Sequence, residues 1–182
     1  NQATKKLNSY PKHNTHSLNI LDDNYAVVMD LDETVLNNSQ YQVELSNERK
    51  SFTIESWAKW VEREEAGIIP GAYEYIQKVR NKNIQLIFIS NRMHVRLEET
   101  KSNMDKLGLF SEDDIYLLRN DRKDKKTVRR NEIFTSTGRM EKYKKFTVIQ
   151  YLGDAMGDFQ FNNYNRFGID QFIFPNPMYG KW

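Results

Sequence analysis

The sequence predicts an α/β fold with a mainly parallel sheet, and three observations carry that prediction. From residue 67 onward, strand-like apolar runs alternate with helical patterns, as in folds built from strand–helix units. Ile84-Gln85-Leu86-Ile87-Phe88-Ile89 is apolar almost throughout, as befits a central parallel strand covered on both faces. Tyr25 to Met29 is a second such run, and it stops abruptly at Asp30-Leu31-Asp32. Composition allows this fold: 182 residues, 38% hydrophobic and 13% aromatic, suffice for one domain with a small insertion. A net charge of +2 with 29% charged residues does not mark a dedicated nucleic-acid binder. The chain has no cysteine, which excludes disulfides, zinc–thiolate sites and a cysteine nucleophile. No run approaches the roughly 20 apolar residues of a membrane span, and no signal peptide is visible. The start at Asn1 and the end at Trp182 read as those of a trimmed or mature chain.

The elements follow in order. Residues 1–23 are polar and read as a loop or frayed lead-in, with His13 and His16 part of that polar segment rather than a metal site. The first strand runs from Tyr25 to Asp30. Asn37 to Phe52 lacks periodicity and reads as a loop. Ile54 to Glu65 reads as an amphipathic helix with Ile54, Trp57, Ala58 and Val61 on one face and Trp60 beside it. Gly67 to Gly71 is a turn with Pro70 near a helix start. Ala72 to Lys82 is helical, with Ala72, Tyr75, Ile76 and Val79 inward. The Ile84–Ile89 strand closes on Ser90-Asn91-Arg92. His94 to Leu107 reads as a helix closed by Gly108; His94 reads as a solvated first-turn residue, with a contact to phosphate or leaving group as the alternative. A strand covers Asp114 to Leu118, a helix Thr127 to Ser136, a strand Phe146 to Leu152 and a last strand Asp170 to Phe174.

Chemistry concentrates where the strands end. Residues i and i+2 of an extended chain point to one side, so the first strand delivers Asp30 and Asp32 together, at the edge where open parallel sheets hold ligands. Two adjacent anions in a partly buried place need a cation or a proton to offset them. Hard carboxylate oxygens suit Mg²⁺, leaving the first carboxylate to attack phosphorus and the second to move a proton. Ser90 can donate to a phosphate oxygen without adding charge. Arg119 to Arg130 carries seven basic side chains: Arg119, Arg122, Lys123, Lys125, Lys126, Arg129 and Arg130. That run reads either as a solvated helix start or as the source of a fixed cation beside a transferring phosphoryl group. Gly153-Asp154-Ala155-Met156-Gly157-Asp158 closes the Phe146–Leu152 strand, and its first glycine lets the backbone turn tightly.

Asp30-x-Asp32-x-Thr34 resembles the first motif of haloacid-dehalogenase-like phosphotransferases. The longer string Met29-Asp30-Leu31-Asp32-Glu33-Thr34-Val35-Leu36-Asn37-Asn38-Ser39-Gln40-Tyr41 resembles bacterial class C acid phosphatases, the lipoprotein acid phosphatases of the DDDD group. Ser90-Asn91-Arg92 is similar to their second signature, Lys123, Lys126 and Arg129 to their third-motif region, and Gly-Asp-x-x-x-Asp at 153–158 to their fourth. Asn176-Pro177-Met178-Tyr179-Gly180-Lys181-Trp182 is similar to their C-terminal aromatic signature.

The resemblance implies a Rossmann-like haloacid-dehalogenase core over about 24–36 and 67–182, with a small, mostly helical cap over about 37–66, in a single catalytic domain. It implies Mg²⁺ held by the Asp30 carboxylate, the Asp32 backbone carbonyl and Asp154, with Asp158 supporting. Asp30 becomes the nucleophile, and Asp32 the acid and base. Thr34, Ser90, Asn91 and Lys126 contact the phosphoryl group or substrate, with Lys123 and Lys125 as the other candidates for the third-motif lysine. Trp57 and Tyr179 stack a planar base or, alternatively, only pack the core. The implied activity is acid phosphatase action on phosphomonoesters, 5′-nucleoside monophosphates foremost. The alternatives are a broad small-molecule phosphatase or phosphotransferase and a non-catalytic binding protein on the same scaffold. Partners are then a small phosphomonoester and a compatible homodimer, with no nucleic-acid polymer, and a membrane only through a lipid anchor upstream of Asn1. The implied location is secreted or at the bacterial cell envelope. Relative to the family pattern, the N-terminal helical lead-in looks reduced, the stretch between Asp158 and Phe172 short, and the chain stops at Trp182.

Overall fold

The computed structural model describes residues 2–10, 24–159 and 164–179. His13 and His16, named above, lie outside the described residues, as do Gly180, Lys181 and Trp182. Five strands form one sheet: β1 (Tyr25–Met29), β4 (Gln85–Met93), β5 (Ile115–Arg119), β6 (Thr147–Gly153) and β7 (Gln171–Ile173). Their order is β5-β4-β1-β6-β7, and every neighbouring pair is parallel. The sheet grows from β1 to one side through β4 and β5, then crosses to β6 and β7 on the other. Its reversal point lies at the C-terminal ends of β1, β4 and β6, the crevice where such sheets bind ligands.

The alternation of strand side chains explains why these runs are apolar throughout. Val27 and Met29 face one core, with Ile76 and Val79 of α4 (Ala72–Arg80). Ala26 and Val28 face a second core, with Ile133 of α6 (Lys126–Thr135) and Met140. Both faces of the sheet are therefore covered, as a parallel sheet requires. The four inward positions expected on α4, Ala72, Tyr75, Ile76 and Val79, are all buried.

Three expectations need correction. The lead-in is not all loop: Gln2–Asn8 forms helix α1, buries Ala3 and Leu7, and is tied to β6 by the Gln150 amide, which donates to the Ala3 carbonyl at 3.1 Å. Two apolar side chains in a polar stretch were too sparse to register as a periodic face. Asn37–Phe52 is not all loop either. Leu36–Asn37 (β2) pairs antiparallel with Gly67–Ile68 (β3), and Ser39–Asn47 forms α2 with Tyr41 and Leu45 buried. In α3 (Ile54–Arg63) the inward face is rotated: Ile54 is exposed, whereas Trp60 and Val61 are buried. A hydrogen bond from the Trp60 indole to Asn38 Oδ1 (2.8 Å) turns that side chain inward. After β4, the helical stretch starts as a 3₁₀ turn at His94–Arg96 before α5 (Leu97–Lys106). Helices α2 and α3 occupy the chain between β2 and β3, outside the five-stranded sheet.

Candidate active site

Asp30 follows directly on β1, and its backbone N–H donates to Leu152 of β6 at 2.9 Å. Its carboxylate is 95% removed from solvent and is hydrogen-bonded by the Lys126 ammonium. Lys126 opens α6, and the same ammonium reaches Asp158 Oδ1 at 2.5 Å. Of the three candidate lysines, Lys126 alone makes these contacts; Lys123 and Lys125 are exposed. Asp158 is in turn aimed by the turn it closes, since its Oδ2 accepts from the backbone N–H groups of Asp154 (3.1 Å) and Ala155 (2.9 Å). The glycine before Asp154 is required by contact: a Cβ built on Gly153 would stand 2.4 Å from Asp158 Cβ.

Asp30, Asp154 and Asp158 present oxygens that all lie within 4.8 Å of one another, and all three residues are buried. Burial pushes Asp30 well above the usual carboxylate range, with Asp158, Asp32 and Asp154 adding to the shift and Lys126 opposing it. Burial also raises Asp154, against a hydrogen bond from Asn176. Burial pulls Lys126 down, but Asp30 and Asp158 outweigh it and hold the ammonium above the ordinary lysine value. With all three carboxylates ionised, the one ammonium would leave two negative charges, the charge of one divalent cation, and the upward shifts of Asp30 and Asp154 mark the cost of holding those charges without one. An all-oxygen donor set of this kind fits a hard divalent ion such as Mg²⁺.

Asp32 does not join that cluster with its carboxylate. Arg92 holds it through Nε and Nη2, each at 2.9 Å, Asn38 Nδ2 donates at 3.1 Å and Ser90 Oγ at 3.2 Å. Arg92 is itself fully buried, and its Nη1 has no hydrogen-bond partner among the described residues. The Thr34 hydroxyl is likewise buried and has no partner among the described residues, so it can donate to a bound group. Asn91 is exposed, and its side-chain oxygen accepts from Arg129 at 2.8 Å. Arg129 also reaches the carbonyls of Ser90 and Leu117, which ties the start of α6 to the end of β4.

Tyr179 lies on one polar network with Asp32, and the Trp57 ring stands beside its Arg92. Tyr179, 43% exposed, donates its hydroxyl to Glu33. Glu33 accepts from the backbone N–H of Asn38 at 2.8 Å, and Asn38 Oδ1 accepts from Arg92 at 3.3 Å. The Arg92 guanidinium lies 5.8 Å from the Trp57 ring centre. Trp57 is half-buried, edge-on to Tyr41 (5.2 Å) and near Phe52 (6.3 Å). Glu33, Asn38, Arg92 and Asn176 were not singled out by sequence reasoning, although each lies inside a quoted string. Each has at least one partner between 22 and 146 positions away.

Comparison with known proteins agrees with this architecture. The family described as HAD superfamily, subfamily IIIB (acid phosphatase), matches residues 1–182. The class C acid phosphatase from Bacillus anthracis is similar in structure, with a TM-score of 0.79 and 27% identity over 98% of this chain and 75% of that one. Its crystal structure with tungstate bound gives a TM-score of 0.73 and 28% identity over 87% and 69%. The stem 31 kDa glycoprotein of Glycine max is 22% identical over 158 residues, 86% of this chain, which spans 59% of that protein's length. With the family pattern running the full length of the chain, this protein belongs to the HAD superfamily, subfamily IIIB, the acid phosphatases.

Proposed function

We propose that this protein is a Mg²⁺-dependent phosphomonoesterase that acts on 5′-nucleoside monophosphates through an aspartyl-phosphate. The observation that carries the reading is the Asp30 carboxylate: buried at a strand end, hydrogen-bonded by Lys126, and gathered with Asp154 and Asp158. Tungstate, a tetrahedral oxyanion, bound to the Bacillus anthracis relative supports a phosphate site here.

Asp30 attacks the phosphorus of the ester, and the ester P–O bond breaks as the Asp30–phosphorus bond forms. Asp32, aimed by Arg92, Asn38 and Ser90, gives a proton to the leaving oxygen. Water then attacks the phosphorus of the intermediate, returns a proton to Asp32, and releases phosphate and free Asp30. Lys126, Ser90 and Thr34 supply donors to the phosphoryl oxygens as charge builds on them. Asp30, Asp154 and Asp158, with the Asp32 carbonyl, would hold a divalent cation, which would supply charge neutralisation at those oxygens. The 37–66 segment acts as a small cap, with Trp57 and Tyr179 receiving the base; base–aromatic stacking contributes about 1–3 kcal/mol per base.

The test is phosphate release from 5′- and 3′-nucleoside monophosphates and sugar phosphates, at acidic and neutral pH, with Mg²⁺ and with EDTA. Fast, EDTA-sensitive release favouring 5′-nucleotides is the expected result. A second reading, a phosphatase without base preference, is favoured by the packing of Trp57 on Tyr41 and Phe52. It predicts equal release from nucleotides and sugar phosphates.

A further inference from the structure

Asn176 sits just after β7, between Pro175 and Pro177, and is 2% exposed. Its side-chain oxygen accepts from the backbone N–H groups of Met178 (3.0 Å) and Tyr179 (3.2 Å). Those two bonds fix which way the amide faces, because only the oxygen can accept from an N–H. The amide nitrogen therefore turns the other way, and it donates to Asp154 Oδ2 at 2.6 Å. One side chain thus holds a carboxylate of the acidic cluster with one end and the backbone of Tyr179 with the other. The flanking prolines restrict the backbone on both sides of it.

An asparagine that served only to close its own turn would make the two backbone contacts and no more. The third contact sets Asn176 apart. It engages one oxygen of Asp154, leaves the other for a ligand, and transmits any rotation of Asp154 to the segment that carries Tyr179. The Tyr179 hydroxyl closes the path by binding Glu33, the neighbour of Asp32. We infer that Asn176 is a positioning residue that couples cation binding at Asp30, Asp154 and Asp158 to substrate contact at Tyr179. This rests on the phosphatase reading above and adds to it a linkage between the two halves of the site. Such coupling is reciprocal: the cation tightens binding of the organic part of the substrate, and that part tightens the cation by the same factor.

The full chain is tested with Mg²⁺ alone as probe, reading the concentration that gives half-maximal thermal stabilisation. The titration is repeated with a saturating nucleoside 5′-phosphonate, whose phosphorus–carbon bond is not hydrolysed. In Asn176→Ser the short hydroxyl can still accept from the turn N–H groups but does not reach Asp154, so the variant separates folding from coupling. The Mg²⁺ midpoint is expected to rise roughly 10–100-fold in Asn176→Ser, as for loss of a group that orients a metal ligand. In the wild type the phosphonate lowers that midpoint by about 5-fold or more; in Asn176→Ser and in Tyr179→Ala the effect shrinks to what its direct contact with the cation supplies. An unchanged Mg²⁺ midpoint in Asn176→Ser, or a phosphonate effect as large as the wild type's in either variant, overturns the coupling. Wild-type protein without Mg²⁺-dependent stabilisation and without phosphate release refutes the phosphatase reading itself, and the coupling with it. Wild-type protein that shows both, matched by Asn176→Ser, refutes the coupling alone.

Discussion

The Tyr179 hydroxyl donates to the Glu33 carboxylate across 146 positions of sequence, so the last described residue of the chain is fastened to the residue next to Asp32. Glu33 is held in a tense place. Its backbone φ is +58°, in the left-handed region that favours glycine, and its side chain is buried. Strain of this kind persists only where surrounding contacts over-determine it, and here Asn38 and Tyr179 supply them.

Burial, with Asp32 adding to it, raises the Glu33 carboxyl from its ordinary value to about 7, against the hydrogen bonds of Tyr179 and Asn38. A raised folded pKa means that the protonated form is preferred in the fold. Its contribution to stability is complete below the unfolded value of 4.5 and is lost as pH rises through about 7. Glu33→Gln removes that loss. In EDTA, the melting temperature of Glu33→Gln relative to wild type should climb between pH 5 and pH 8, by an amount worth at most ~3 kcal/mol. A flat difference across that range would contradict the burial argument.

Lys126 should be unique among its neighbours. Replacing it with methionine leaves buried carboxylates without their cation, which costs about 3–5 kcal/mol in stability and about 10²–10³ in kcat through loss of a transition-state donor. Added Mg²⁺ should restore part of the stability and little of the rate. Lys123→Ala and Lys125→Ala, both at exposed positions, should stay within about 0.5 kcal/mol of wild type and keep their turnover. Thermal melts with and without Mg²⁺, beside steady-state assays, read both quantities.

Gly153→Ala places a methyl group where Asp158 stands. The clash should cost about 1–3 kcal/mol and displace Asp158 from the Asp154 and Ala155 amides. Turnover should fall further than the melting temperature suggests, because Asp158 also holds Lys126. Wild-type kcat in a folded Gly153→Ala protein would show that Asp158 placement is irrelevant to the reaction.

Arg92→Lys keeps a charge but loses the two-nitrogen grip on Asp32. A kcat loss of about 10²–10⁴, the range of general acid–base catalysis, is expected, with KM nearly unchanged. A rise in KM at constant kcat would instead place Arg92 on the substrate.

The acidic parts of the site were legible because their spacing is local. Asp30 and Asp32 share a strand end, and Asp154 and Asp158 share one tight turn. The third-motif lysine was ambiguous, since a run of charges gives no signal for which member turns inward. That depends on where α6 starts, and the helix begins at Lys126 itself. The parallel sheet was visible in the apolar runs, but α1 and α2 were not, each burying only two apolar side chains. Asn38 is the clearest case of what pattern cannot carry. It is a polar residue in a segment read as loop, yet it is completely buried because Trp60, Arg92, Asp32 and Glu33 converge on it.

The central claim is that the Asp30 carboxylate attacks phosphorus. The most direct test is phosphate release by Asp30→Asn beside wild type, on the best substrate of the panel, with folding checked by circular dichroism. An amide of nearly the same shape removes the nucleophile and keeps the packing, so the account predicts a folded protein with no turnover above background. Turnover retained by Asp30→Asn, in a preparation free of contaminating phosphatase, would contradict it.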